Sequence, residues 1–258
     1  MVEIVGNIDV AQMVLYAFWL FFAGLIWYLQ AESRREGYPL EEDLTGEYNK
    51  DAWLSLPTPK TFKLPNGQGE RTYPHPANRD TRPIAARRAS GLAGAPLIPT
   101  GDPLADGVGP AAWAERPDHP DLTPHGTAKI VPMRVLPEFK VAAGDIDPRG
   151  MNVIAADNKV AGTISDVWID QSESLIRYFE VSLGDETRLM PLHFAIRRAA
   201  RGGRGKEYFV RSLLAEQFKN VPQTASPEKI TMLEEEKIMG YFGGGNMYAT
   251  PTRSEPLI

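Results

Sequence analysis

The chain of 258 residues contains no cysteine. That excludes a disulfide framework, thiolate-bound zinc, iron–sulfur clusters and a cysteine nucleophile. A basic excess is also missing: 28 Lys and Arg stand against 33 Asp and Glu, for a formal net charge of −5. A nucleic-acid binder needs a net basic face to displace counterions from phosphates, so that class is excluded too. Histidine is scarce. His75, His119, His125 and His193 are the only four, and none has the i, i+4 spacing or H-E-x-x-H context of a metal or protease site. There is no G-x-G-x-x-G after a strand, no phosphate loop and no G-x-S-x-G elbow, and RGGRGK (201–206) has the wrong spacing. The residues therefore offer no catalytic, cofactor-binding or metal-binding constellation, and the chain reads as a non-enzyme.

Charge is locally absent as well. From Val10 to Leu29 no charged side chain occurs, and Gln12 is the only strongly polar one. A helix of ~20 residues rising 1.5 Å per residue is ~30 Å long, the thickness of a bilayer hydrocarbon core. Trp27 and Tyr28 close the run, where amphipathic rings favour the interface. A cleaved signal peptide fits poorly: Glu3 and Asp9 precede the run without a basic flank, and no A-x-A site ends it. Arg34 and Arg35 follow, and basic residues stay cytoplasmic. The expected topology is residues 1–9 outside, a span over 10–30 and the remainder inside, with Arg34 and Arg35 as candidates for lipid headgroup contact.

What is abundant next is proline and glycine. Gly37 to Pro110 holds 11 Pro and 9 Gly, so regular elements there must be short. Trp53, Phe62, Tyr73, Leu97, Ile98 and Trp113 are more apolar anchors than a disordered linker needs. Residues 31–126 are accordingly expected to form an irregular coat laid on a partner surface.

From Thr127 β-branched and aromatic runs take over, at 129–135, 151–156, 159–170, 175–183, 187–192 and 207–212, separated by turn signals such as Asp157-Asn158 and Gly184-Asp185. This spacing predicts a small antiparallel barrel or sandwich over 127–258. A short helix is expected at 212–218. Thr231 and Glu234 form a T-x-x-E capping box before a C-terminal helix, which should falter at Gly243-Gly244-Gly245. The basic run Arg197, Arg198, Arg201, Arg204 and Lys206 reads as a solvated hairpin turn, or as a contact for anionic headgroups.

The stretches R-R-E-G-Y-P-L (34–40), P-K-T-F-x-L-P (59–65), P-T-G-D-P-L-A-D-G-V-G-P-A (99–111), K-I-V-P-M-R-V (129–135), D-P-R-G (147–150) and E-E-E-K-I-x-x-Y-x-G-G (234–244), in this order, together resemble the H subunit of the purple-bacterial photosynthetic reaction centre. Residues 160–170 and 177–181 also resemble the PRC-barrel family. The resemblance implies one transmembrane helix with a periplasmic N-terminus in the intracytoplasmic (chromatophore) part of a bacterial inner membrane, and a mainly β cytoplasmic domain with a PRC-type barrel and a C-terminal helix. It implies a non-catalytic subunit capping the L and M subunits, shielding their quinone sites and helping protons reach the secondary quinone. Bacteriochlorophyll, bacteriopheophytin, quinones and non-haem iron would belong to those partners and none to this chain. A cytochrome subunit, antenna polypeptides and membrane lipids are further expected neighbours.

By their position alone, Asp170 and Glu173 are solvated turn carboxylates. The resemblance aligns them with carboxylates lying toward the secondary quinone, and His125 with a surface histidine where protons enter. Thr123 and Thr127 stand where some members carry an aspartate and a second histidine. A hydroxyl relays a proton but holds none near neutral pH, so Asp118, His119 and Asp121 become substitutes to consider. A membrane-tethered PRC-barrel adaptor unrelated to photosynthesis is the alternative; it leaves the N-terminal stretches unexplained.

Overall fold

The computed structural model describes residues 3–5, 8–47, 56–75, 80–200 and 205–254. Trp53 and, in the basic run, Arg201 and Arg204 lie outside the described residues. The chain divides into two compact units, residues 1–81 with 91–94, and residues 82–90 with 95–258.

In the first unit, β1 (Glu3–Val5) pairs with β2 (Ile8–Asp9) ahead of helix α1 (Val10–Glu32). Asp9 caps α1: its carboxylate accepts from the Gln12 amide at 2.8 Å, satisfying a donor that has no partner inside the helix. No α1 side chain is buried, so this helix, apolar over most of its length and long enough to cross a bilayer, has its apolar surface uncovered. Beyond it, β3 (Lys60–Lys63) and β4 (Glu70–Tyr73) form an antiparallel hairpin. Arg35 ties this hairpin to the helix exit. Its guanidinium holds Glu32 at 2.8 Å and donates to the carbonyls of Thr58 and Tyr73, each at 2.9 Å.

The second unit opens with the short hairpin β5 (Ala86–Arg88) and β6 (Leu97–Pro99) and a single 3₁₀ turn, Gly109–Ala111. Then come β7 (Ile130–Pro132), β8 (Asn152–Ile154), β9 (Val160–Asp170), β10 (Leu175–Ser182), β11 (Thr187–Pro191), β12 (Ala195–Ala199) and β13 (Lys206–Val210). They form one sheet in the order β11-β10-β9-β8-β13-β12, with β7 also on β9. All pairs are antiparallel except the short parallel match of β8 with β13. Five strand spacings would separate the outer strands of a flat sheet by about 24 Å. Only Leu192–Phe194 join β11 to β12, a reach of about 14 Å at most. The sheet must curl, and it wraps a core of Trp168, Phe179, Val181, Met190 and Val210.

Two expectations for the segments around β13 need correction. β12 lies where a turn was expected, so Arg197 and Arg198 are strand residues; Arg198 pairs with Glu207 at 2.7 Å and covers the Phe209 ring. The segment at 212–218 is a 3₁₀ helix displaced to Ala215–Asn220.

The last element, α2 (Met232–Tyr248), starts at the expected capping box: the Glu234 amide donates to Thr231 Oγ1 and the Glu234 carboxylate accepts from the Thr231 amide. It buries Ile238, Tyr241, Phe242 and Gly245, one stripe at helical spacing. Phe242 packs edge-on against Phe218. The helix does not falter at its glycines. They are the contact: a Cβ on Gly240 would stand 2.8 Å from the Ala111 carbonyl oxygen, and one on Gly244 would stand 2.9 Å from Ala111 Cα. Tertiary packing outweighs the helix cost of glycine, roughly 1 kcal/mol per residue.

Gly244→Ala should therefore destabilise the detergent-solubilised full chain by about 1–3 kcal/mol, because overpacking exceeds the gain in helix propensity. Gly243→Ala, whose nearest neighbour would be the Pro110 carbonyl at 3.3 Å, should cost less. Denaturation midpoints measure both, and an unchanged or raised midpoint for Gly244→Ala would refute the close-packing account.

Candidate functional site

The last residue of β9, Asp170, sits where three chain segments meet. β9 turns into β10 through residues 171–174, and Asp170 Oδ1 accepts from the backbone amides of Ser172 and Glu173 at 3.0 and 3.1 Å. That is the bond pattern by which Asp closes a turn. Its other oxygen lies 3.4 Å from Lys129 Nζ and 3.3 Å from the Arg177 guanidinium. The Asp170 side chain is 1% exposed and that of Glu173 is 47% exposed. Glu173 is joined to the same two cations, at 2.7 Å to Arg177 and 3.6 Å to Lys129. A carboxylate this deeply buried survives only with such partners. Burial lowers the Lys129 pKa, but the charge of Asp170 and the bond to it, with the charges of Asp121 and Glu173, outweigh this and hold it above the ordinary lysine value.

Lys129 reaches the cluster from the foot of a small loop. Its amide donates to the Asp121 carbonyl, Thr123 N donates to the Thr127 carbonyl, and the two threonine hydroxyls meet at 2.8 Å. His125, at the loop tip, is exposed, and its amide donates to Thr123 Oγ1. Of the three substitutes, only Asp121 joins the cluster, 3.7 Å from Lys129. Asp118 instead accepts from the Thr231 hydroxyl at the start of α2, and the His119 ring stays beside the Pro120 carbonyl. The structure thus joins Asp170 and Glu173 directly and sets His125 on the loop whose base they share. Arg35 is engaged within the chain, its side chain 11% exposed, and Arg34 lies over the Tyr38 ring.

Sequence reasoning missed Glu235. The Tyr178 hydroxyl donates to Glu235 Oε2 at 2.8 Å, and the two residues line a cavity of ≈ 260 Å³ together with Asp121, Lys129, Asp170, Arg177 and His193. Burial pushes the Glu235 carboxyl above the usual carboxylate range; the bond from Tyr178 opposes this and the charge of Asp121 adds to it. A signal was present. Glu235 stands three and seven residues before the buried Ile238 and Phe242, so it shares their helix face rather than the solvent face. Among the described residues, no group of three or more His, Asp and Glu is arranged to hold a metal ion.

An apolar helix with no cover, a Pro- and Gly-rich stretch and a curled β module, with ionisable side chains clustered at one strand end, define a membrane-anchored subunit of a larger assembly. Two family models match the chain: photosynthetic reaction centre, H-chain N-terminal region, over residues 2–135, and PRC-barrel domain, over residues 143–205. The first covers more than half of the chain, which therefore belongs to the photosynthetic reaction centre H-chain family. Members are structural subunits that associate with the L and M subunits, and the cofactors lie in those partners.

Lys129→Met should leave Asp170 with Arg177 and two backbone amides as partners. Loss of one ion partner of a buried carboxylate costs several kcal/mol, and the remaining donors reduce this to about 1–2 kcal/mol. Denaturation of the full chain should show that loss, and the double variant Lys129→Met/Asp170→Asn should recover part of it. No recovery would mean that the two side chains are energetically independent.

Proposed function

We propose that this H subunit caps L and M on the cytoplasmic side of the chromatophore membrane, keeps bulk water from their quinone sites and helps deliver protons to the secondary quinone. The observation carrying this reading is the buried Asp170, joined through Lys129 and Arg177 to the half-exposed Glu173. Proton delivery needs ionisable groups within a hydrogen bond or one water of each other. Asp121, Asp170 and Glu173 are paired with Lys129 and Arg177, and these five groups carry one net negative charge when all are ionised. His125, exposed at the loop tip, is the proposed uptake point; the Thr123 and Thr127 hydroxyls brace its loop.

The coat reading rests on Leu40, Leu44, Phe62 and Leu92, large apolar side chains left exposed in the first unit. Residues 31–126 as a coat on L and M, and 127–258 as the β domain beyond it, would cover this surface with partner chain. Arg34 and the basic residues of β12 are proposed to lie near lipid headgroups. A cytochrome subunit and antenna polypeptides complete the proposed surroundings. A PRC-barrel adaptor without L and M would leave the family match over residues 2–135 without a purpose.

Orientation is tested by protease. Added to sealed inside-out vesicles, it should remove the domain after residue 40, with no digestion in right-side-out vesicles; the reverse pattern overturns the topology. Delivery is tested by flash kinetics. Glu173→Gln keeps size and hydrogen bonding but removes the titratable proton, and should slow the second electron transfer to the quinone by roughly tenfold while leaving the first nearly unchanged. His125→Ala should slow proton uptake in the same complex. If both variants match the parent protein from about pH 6 to 9, a span covering histidine titration, the delivery role is wrong.

A further inference from the structure

The cluster around Asp170 has a second wall that the delivery reading does not use. Glu235 comes from α2, far along the chain from the other carboxylates, and opens on the same cavity as Asp170. Tyr178 occupies its Oε2, which leaves Oε1 as the oxygen able to bind a proton. The groups around it come from every packed element. Arg116, Asp121 and Lys129 stand on the chain leading into β7, Asp170 on β9, and Arg177 with Tyr178 on β10. His193 follows β11, and Glu236 on α2 itself is engaged by Arg116 at 3.4 Å.

We propose that Glu235 is a proton-holding group, exchanging its proton with Asp170 through the cavity they share. The inference rests on the delivery reading, which it deepens by naming where a proton waits. The step changes only O–H bonds: a proton from solvent adds to the Glu235 carboxylate, and on release it adds to the carboxylate of Asp170. Three features favour this role. The cavity is lined by polar groups on several sides, and its ≈ 260 Å³ is roomy enough for solvent to link them. Among the described residues no cation is bonded to Glu235, whereas Asp170 and Glu173 each hold two. Burial disfavours its charged form, raising its proton affinity above the ordinary carboxylate level. The sign follows: Glu235 is protonated below its raised pKa, and its proton is released as pH rises through that value.

A purely structural Glu235–Tyr178 bond would predict none of this titration. The test uses the intact reaction-centre complex carrying the full chain, with Glu235→Gln, Glu235→Asp and Tyr178→Phe. Infrared spectra recorded in the dark between about pH 5 and 9, above the ordinary carboxylate pKa, should contain the carbonyl stretch of a neutral carboxylic acid. That band should vanish with rising pH, be absent in Glu235→Gln, return in Glu235→Asp and shift in Tyr178→Phe. Flash-induced proton uptake should fall in Glu235→Gln. An infrared spectrum unchanged by Glu235→Gln overturns the inference, since Glu235 would then be a fixed carboxylate. A titrating band with unchanged proton uptake overturns it equally, because the proton held would take no part. In either case a slow second electron transfer in Glu173→Gln keeps the delivery reading intact, so the two failures are distinguishable. Tyr178→Phe keeps the test decisive if Glu235→Gln fails to assemble: an unshifted carbonyl band there also overturns the proposal.

Discussion

Pairing of β9 along both of its edges is the constraint from which the second unit takes its form. β10 runs along one edge from Thr163 to Asp170, while β8 and β7 share the other. A strand held on both sides cannot slip in register without moving every side chain to the opposite face. Its polar residues are therefore fixed as firmly as its apolar ones. Asp166 shows the consequence: with Glu180 it is buried, and the pair is held by Arg134, at 3.1 and 2.9 Å, while Trp168 Nε1 donates to Glu180 at 3.0 Å. Asp170, at the strand end, is fixed by the same pairing. Its burial is a product of the sheet, and its cations arrive on β10 and on the chain entering β7.

The second constraint is the approach of α2. A helix rich in glycine at 240 and 243–245 is weak in isolation, and this one is held by the fit of its backbone against the 3₁₀ turn at Ala111. Close approach on one face and the buried Ile238, Tyr241 and Phe242 on the adjoining face set the rotation of the helix. Once that rotation is set, Glu235 has little choice of direction and meets Tyr178. The same glycines that look like a helix terminator are thus what carries a carboxylate into contact with the sheet.

Legibility in the sequence follows these physics. α1 was readable because twenty residues without charge have few other interpretations, and the start of α2 because a capping box is local chemistry between Thr231 and Glu234. Most strands of the large sheet were readable from β-branched and aromatic runs. β12 was not, because Ala195–Ala199 carries two arginines, and its pairing depends on Glu207 and Phe209 from the facing strand. The parallel match of β8 with β13 is equally non-local. Asp170 and Glu173 read locally as turn carboxylates, which they are; that one is buried and the other half exposed is decided by Lys129 and the loop above it. Glu235 was hidden by its neighbours, since three successive glutamates look like a solvated face until the helix is given a rotation.

The loop at 121–129 shows how one short segment can serve two environments. Its strands are closed by backbone bonds between Thr123 and Thr127 and between Asp121 and Lys129, so tip and base are held as one piece. The tip carries the exposed imidazole of His125. The base carries Asp121 and Lys129 into the cavity. A hydroxyl pair in the middle, with Thr123 buried, donates and accepts without storing charge, so it braces the loop and adds no competing site. The arrangement sets an exposed imidazole apart from the buried, cation-paired carboxylate of Asp170.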